Sequence, residues 1–380
     1  MVVKVALIMF DTRGFGGGNK FASELASGLL EAGNEVAICA WNYPVAGSSH
    51  EELMEVKHWF VPRFRYNIGK LYKITFNLSR AVKACIRRFE PTAIINTTTE
   101  PSIFHGMPSH VKKIHYVHYP TELTAYRHAL KHEVYRSVYW WIHYKTIPTI
   151  DMIVCNSNFT RELTYLVWQN SQPNREKYRT IYPCVDVRRF DKHLEREKKI
   201  CYVGRIDKYK GIDTVLDAYL KVKKRVPDAK LEISGGVKGS IWAEQYLPDL
   251  SDRIKEISDP AIGLKVDVSS ESLSETLLTS RTMASFNPFE HYGIVPVEAM
   301  AAGTPPIVAN GGGQRETIID GETGFLVNNV DEMAERLYLL LTDDKAFSEM
   351  SQKARERAKR FDRTQFIRDW LDLIGYVRMS

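Results

Sequence analysis

A chain of 380 residues that is 44% hydrophobic and 26% charged can bury substantial cores, and its length favours two domains of roughly 180 residues over one. No run approaches the roughly 20 apolar residues of a bilayer crossing, and Met1-Val2-Val3-Lys4 before VALIMF has the wrong length and flanks for a signal peptide, so the sequence predicts a cytoplasmic protein. The net charge of +6 is mild, and the five cysteines, an odd and scattered set without a C-x-x-C pair, read as reduced thiols and neither disulfides nor metal ligands.

KVALIMF (4 to 10) is a strand-like run followed by RGFGGGNK, a helical pattern from Phe21 to Leu30 and a second strand, EVAICAW (35 to 41), which together form a βαβ opening. Next comes an unusual stretch. From Lys57 to Glu90 many basic residues face a single acid, Glu90, with aromatics such as Trp59, Phe60, Tyr66 and Phe76 between them, and YRHALKHEVYRSVYWWIHYK (126 to 145) repeats the mixture. Interleaved cations and aromatics suit an anionic membrane surface or a phosphate-bearing lipid; nucleic acid or a solvated helix face would account for them equally.

TAIINT (92 to 97), KIHYVH (113 to 118), DMIVCN (151 to 156) and YRTIYP (178 to 183) continue the strands, with helix-length segments between most of them, so a parallel sheet covered on both faces is expected. The pattern breaks near Tyr182-Pro183-Cys184 and restarts with KICYVGR (199 to 205), a helix over 211 to 226 and AKLEISGG (229 to 236). TMASFNP (282 to 288), TPPIVAN (304 to 310) and TGFLVN (323 to 328) complete a second set. The fold class is α/β, with one Rossmann-like domain over 1 to 183 and another over 198 to 361, joined near residues 183 to 197. A closing helix over 362 to 380 carries Phe366, Trp370, Leu371, Leu373 and Ile374 on an apolar stripe.

Ligands of open α/β sheets bind beyond the carboxyl ends of the strands, which points to four loops. In RGFGGGNK the glycines Gly16, Gly17 and Gly18 let backbone approach a phosphate before a helix N-terminus. It is not a dinucleotide fingerprint, because Asn19 stands where the third glycine belongs and the second strand ends without an acid for the ribose. GRIDKYKG sets Arg205 and Lys210 beside a helix N-terminus, a fork and a point charge suited to a diphosphate that gains charge as it leaves. FEHYGIVPVEAMAAG places Glu290 before a turn and Glu298 early in a helix that begins near Pro296 and stops at Gly303. Those carboxylates can accept from sugar or ribose hydroxyls, while the amides after Gly293 face a ligand oxygen. They would serve as a glycosidase acid and base only if they faced each other across a bond, which spacing does not show. IHYVHYPTE brings His115 and His118, of which His118 stands at a strand end.

Taken together, the glycine loop, His118, Gly204-Arg205-x4-Lys210-Gly211 and Glu290-x7-Glu298 followed by AMAAGTPPIVA resemble glycosyltransferase family 4, over about residues 4 to 345. YVHYPTE, VCNSNFT and IYPCVDVRRF look most like its branch that adds α-1,2-mannose from GDP-mannose to a dolichol-linked oligosaccharide. The resemblance implies a GT-B fold, its two domains facing across a cleft and the final helix crossing back to the N-terminal domain. It implies that the donor lies mainly on the C-terminal domain and the acceptor on the N-terminal one. Arg205 and Lys210 would hold the donor diphosphate, Glu290 the hydroxyls of the donor sugar beside the amides of Tyr292, Gly293 and Ile294, and Glu298 the ribose. Gly17 and Gly18 would approach the phosphates, and His118 would lie near the anomeric carbon. His291 stands where many members have glycine.

The expected activity is transfer of a hexose, mannose from GDP-mannose being favoured, from a nucleoside-diphosphate sugar to a hydroxyl of a glycan or lipid-linked acceptor. It proceeds with retention, with no cofactor and independently of metal. The enzyme would be cytoplasmic, in peripheral contact with an anionic membrane, with no nucleic acid as partner. An epimerase of nucleotide sugars with the same architecture would not need the basic aromatic stretches. A nucleic-acid-binding protein would explain those stretches but not Glu290, Glu298 or the glycine loop.

Overall fold

Apolar runs too short for helices alternate with helix-period segments; the apolar runs form two parallel sheets, and the helices pack on them. The computed structural model describes residues 2–9, 17–43, 51–62, 73–123, 133–238 and 240–379. Gly16, the stretch 63–72 and the beginning of the second basic aromatic stretch, 126–132, lie outside the described residues.

The first unit comprises Met1–Cys184 with Arg363–Ser380. Its strands are β1 (Lys4–Ile8), β2 (Glu35–Cys39), β3 (His58–Phe60), β4 (Ala93–Asn96), β5 (Lys112–Val117), β6 (Met152–Cys155) and β7 (Tyr178–Thr180), in the order β3-β2-β1-β4-β5-β6-β7. Helices α1 (Gly17–Glu31), α2 (Ser79–Phe89), α3 (Glu133–Thr146) and α4 (Asn158–Trp168) belong to it. Alternation along a strand separates the two faces of the sheet. Val5 and Leu7 enter one core with Leu25, Leu29 and Trp370, whereas Ala6 and Ile8 enter the other with Val82, Cys85 and Trp168.

In the basic stretch, α2 buries Ala81, Val82, Cys85, Ile86 and Phe89 and exposes Arg80, Arg87 and Arg88. It is an amphipathic helix with a cationic outer face. β3, which sequence reading passed over, is an edge strand of three residues, too short for alternation to be visible.

The closing helix α12 (Arg363–Met379) packs on this first unit. Its Phe366, Trp370, Leu373 and Ile374 share a core with α1. Gly28 admits Ile367, whose Cδ1 lies 2.0 Å from where a Cβ at 28 would stand. Arg363 bonds Glu24 at 2.9 Å and Glu31 at 2.6 Å.

The second unit is Val185–Asp362. The boundary between the units, after Cys184, falls within the stretch 183 to 197 where the sequence placed the joint, and the residues just beyond it pack onto the second unit. Val185 and Phe190 are buried, Val185 pairs with Asp362 in a parallel bridge, and the turn Val187–Phe190 packs against later helices of this unit. Its strands are β8 (Glu197–Arg205), β9 (Lys230–Gly236), β10 (Ile262–Val266), β11 (Ser280–Ser285), β12 (Pro306–Ala309) and β13 (Phe325–Val327), ordered β10-β9-β8-β11-β12-β13. Helices α5 (Ile212–Lys223), α6 (Ile241–Ile257), α7 (Ser270–Thr279), α8 (Ile294–Ala302), α9 (Gln314–Thr317), α10 (Val330–Thr342) and α11 (Asp344–Ala358) cover them. β10 also escaped sequence reading; it is an edge strand on which Gly263 and Lys265 interrupt the apolar residues. The five cysteines are buried and free, and no helix among the described residues is long and apolar enough to cross a membrane.

Candidate active site

Strand order decides where a parallel sheet opens a crevice. From β8 the chain proceeds to β9 and β10 on one side and then returns to β11 on the other, so the connections after β8 and β11 diverge at their carboxyl ends. Ligands of doubly wound sheets settle at such a switch. Lys210, from the β8 connection, donates from Nζ to Glu290 Oε2, from the β11 connection, at 2.5 Å. The residues are 80 positions apart in sequence. Their side chains are 34% and 22% exposed, sheltered enough for the attraction to count yet open to a ligand.

Glycines make this approach possible. Gly211, at φ 69°, ends the Lys210 turn, and a Cβ there would stand 2.1 Å from the Phe286 carbonyl oxygen. Phe286 N in turn donates to Lys210 O at 3.3 Å, which ties the two connections together. On the far side of Glu290, Gly313 N donates to its carbonyl at 2.8 Å, and a Cβ at Gly312 would meet the same carbonyl. Sequence reading missed Gly311-Gly312-Gly313; the signal was present as a second glycine triplet just after a strand.

Arg205 ends β8, is exposed, and has no ion-pair partner among the described residues, while its carbonyl accepts from the buried Tyr202 hydroxyl. Asp207 caps the following turn by accepting from Tyr209 N at 3.2 Å. Beyond Glu290, the Tyr292 ring turns inward to Phe361, with centroids 6.3 Å apart, so it can offer a ligand only its backbone. Gly293, at φ 82°, precedes α8 and, as a glycine N-cap, gives that helix no side-chain cap of its own. The amides of Gly293 and Ile294 thus stand at a helix N-terminus, where partial positive charge favours an anion. Glu298 lies half-buried within α8. Burial lowers the pKa of His291, with opposing pulls from Glu290 upward and Lys210 downward, so its ring favours the neutral form.

The first unit has its own switch, between β1 and β4. Gly17 and Gly18 form the first turn of α1, earlier than the helix start expected near Phe21. A Cβ on Gly18 would lie 3.4 Å from His118 Nε2. That nitrogen is 3.2 Å from the Thr97 carbonyl beyond β4, and Asn156 Nδ2 donates to the His118 carbonyl at 2.9 Å. Enclosure pushes the pKa of His118 down to about 4, against a smaller upward pull from Thr97. His115 is a core residue, stacked on Trp168 with centroids 5.8 Å apart and held down to about 3 by burial and by His143 and His118. The structure thus gathers Gly18 and His118 in one unit, and Lys210, Glu290 and the α8 N-terminus in the other. Among the described residues no three His, Cys, Asp or Glu side chains cluster as metal ligands.

Residues 15–189 match the family model described as Glycosyltransferase Family 4, and residues 186–360 match Glycosyl transferases group 1. The chain belongs to glycosyltransferase family 4. This glycosyltransferase is 28% identical over 370 residues to an alpha-1,3/1,6-mannosyltransferase ALG2 of Kluyveromyces lactis, covering 83% of this chain and 71% of that one. It is 24% identical over 378 residues to the enzyme of the same name from Dictyostelium discoideum, covering 88% and 89%. These relatives are named for α-1,3 and α-1,6 linkages, where three sequence segments pointed to an α-1,2 branch. Among solved structures, Anabaena Alr3699/HepE in complex with UDP-glucose superposes with a TM-score of 0.74 at 15% identity, covering 98% of this chain and all of that one. Sucrose-phosphate synthase from Thermosynechococcus elongatus does so at 0.75 and 19%, covering 99% of both. These likenesses establish the fold class as GT-B: two Rossmann-like parallel-sheet units in tandem.

Proposed function

We propose that this glycosyltransferase moves mannose from GDP-mannose to a hydroxyl of a glycan or lipid-linked acceptor, with retention at the anomeric carbon and without a metal ion. The observation that carries the reading is the Lys210–Glu290 pair at the switch of the second unit. A cation and a carboxylate that neutralise each other in the free protein can part to adjoining groups of a nucleotide sugar, Lys210 to a phosphate and Glu290 to a hydroxyl of the sugar bonded to it. The mannosyltransferases to which the chain is similar support mannose as the sugar.

The carbon–oxygen bond to the diphosphate breaks with its electron pair left on phosphate. Arg205, Lys210 and the amides of Tyr292, Gly293 and Ile294 are assigned to that growing charge, which preorganised donors stabilise without reorganisation. Glu298 is assigned to the ribose hydroxyls, Gly17 and Gly18 to the phosphates and His118 to the transferred sugar. No carboxylate is assigned as nucleophile.

Peripheral contact with an anionic bilayer is supported by α3, which exposes Val138, Trp141 and Lys145 along one face, the arrangement that seats a helix at a lipid surface. Thermal melting with GDP-, UDP- and ADP-sugars tests the donor assignment. At 100 times its Kd a ligand that binds only the folded state adds about 2.7 kcal/mol, a shift of several degrees. GDP-mannose is expected to give that shift and to be consumed only when acceptor is present. Conversion without acceptor, or no shift from any of the three, refutes the reading. Flotation with anionic vesicles at low salt is expected to carry the protein, and its absence refutes the membrane contact.

A further inference from the structure

The buried side of α3 presents Tyr139 and His143 one turn apart, and each holds a carboxylate that the proposed chemistry does not use. The Tyr139 hydroxyl donates to Glu100 Oε2. His143 Nε2 lies 2.7 Å from Glu122 Oε1, and Trp168 Nε1, at the end of α4, donates to the same oxygen at 2.5 Å. Glu100 is 2% exposed, Glu122 6% and His143 0%. Burial raises the pKa of Glu122, but the His143 and Trp168 hydrogen bonds and the His143 charge outweigh it and hold the carboxyl below its ordinary value.

These carboxylates occupy the two connections that bracket His118. Glu100 ends the turn begun by Thr97, whose carbonyl faces His118 Nε2, and Glu122 follows His118 on its own connection. Fold stability alone gives no reason for them. Buried ionic groups are often replaceable by apolar ones without loss, and Glu122 Oε2 and His143 Nδ1 are buried with no hydrogen-bond partner among the described residues, a cost that an apolar pair would avoid. Directional bonds, in contrast, can hold a connection in one place where apolar packing would let it slide.

We propose that Glu100, Glu122, Tyr139 and His143 are positioning residues through which α3 grips both strand-end connections and sets the place of His118. The inference rests on the proposal that His118 serves the transfer.

The test uses the full chain, with Glu122→Gln and Tyr139→Phe as variants that conserve volume. Turnover at saturating GDP-mannose is expected to fall about 10- to 100-fold, the scale of a displacement near 1 Å. Donor Kd should change less than turnover, because Arg205, Lys210 and Glu290 lie in the other unit and keep the contacts assigned to them. The His118 ring resonances should shift in both variants. A folded Glu122→Gln with turnover within twofold of the parent overturns the proposal, as does lowered turnover with unmoved His118 resonances. Should Glu122→Gln fail to fold, Tyr139→Phe, which removes one hydroxyl, decides by the same two criteria. His118→Ala run alongside separates the two readings: parent-like turnover there refutes the role of His118 and this inference with it, while loss of turnover there and none in the folded variants refutes the inference alone.

Discussion

Replacing Lys210 with alanine should separate catalysis from folding. Its Nζ pairs with Glu290, and both side chains keep part of their solvent contact. Pairs of that kind contribute about 0 to 1 kcal/mol to stability, and Glu290 retains a bond from Asn287 Nδ2 at 3.3 Å, so the melting temperature should fall by a few degrees at most. The catalytic loss should be larger. One charged hydrogen bond to phosphate is worth about 1.5 to 3 kcal/mol, and a donor aimed at charge that develops only in the transition state is worth about 100- to 1,000-fold in kcat. Steady-state transfer from GDP-mannose, with melting curves on the same preparations, should therefore show kcat down by about two to three orders of magnitude in a folded protein. Arg205→Ala should behave likewise, with an even smaller change in stability, since its exposed guanidinium has no ion-pair partner among the described residues. Turnover within tenfold of the parent in a folded Lys210→Ala would refute the assignment of the diphosphate to this turn.

Transfer should persist in EDTA if, as proposed, the charge of the leaving group falls to Arg205, Lys210 and the α8 amides; activity lost in EDTA and restored by Mn²⁺ or Mg²⁺ contradicts this. Acid should destabilise the first unit through His115 and His118. Each takes a proton near pH 6.5 in the unfolded chain but only near 3 and 4 in the fold, so the unfolded state holds more protons between those limits. Their contribution is complete above about pH 6.5 and falls as pH drops, by up to ~1.4 kcal/mol per pH unit for each group. Urea unfolding from pH 7 to 5 should accordingly weaken less in His115→Phe than in the parent, by about 2 kcal/mol, and equal slopes would rule the account out. Gly28→Ala should destabilise by about 1 to 2 kcal/mol, because overpacking against Ile367 exceeds the helix-propensity gain. In an Ile367→Ala background the same change should become stabilising, and an unchanged sign would show that the α1–α12 contact is not what requires glycine.

Much of this was legible locally. The alternation of strand and helix segments, the two Rossmann-like halves, the break near Pro183 and the amphipathic stripe of the closing helix follow from hydrophobic period, which each segment carries in itself. Glycine-rich turns are also visible locally, and strand ends and residue chemistry singled out Arg205, Lys210, Glu290, Glu298 and His118 as candidates, with roles that only the family resemblance implied. Other features depend on which distant segments become neighbours. That β8 lies between β9 and β11, so that Lys210 meets Glu290, is a matter of strand order, and no periodicity encodes strand order. That Val185 and Phe190 are buried beside the joint, that Gly28 is a notch for Ile367, and that Glu100 and Glu122 are buried under α3 are likewise outcomes of packing between elements far apart in the chain. The sequence by itself determined the elements and the chemistry at their ends. Tertiary structure decided which ends meet, because burial and hydrogen bonding between distant segments select one arrangement among the several that the same local patterns allow.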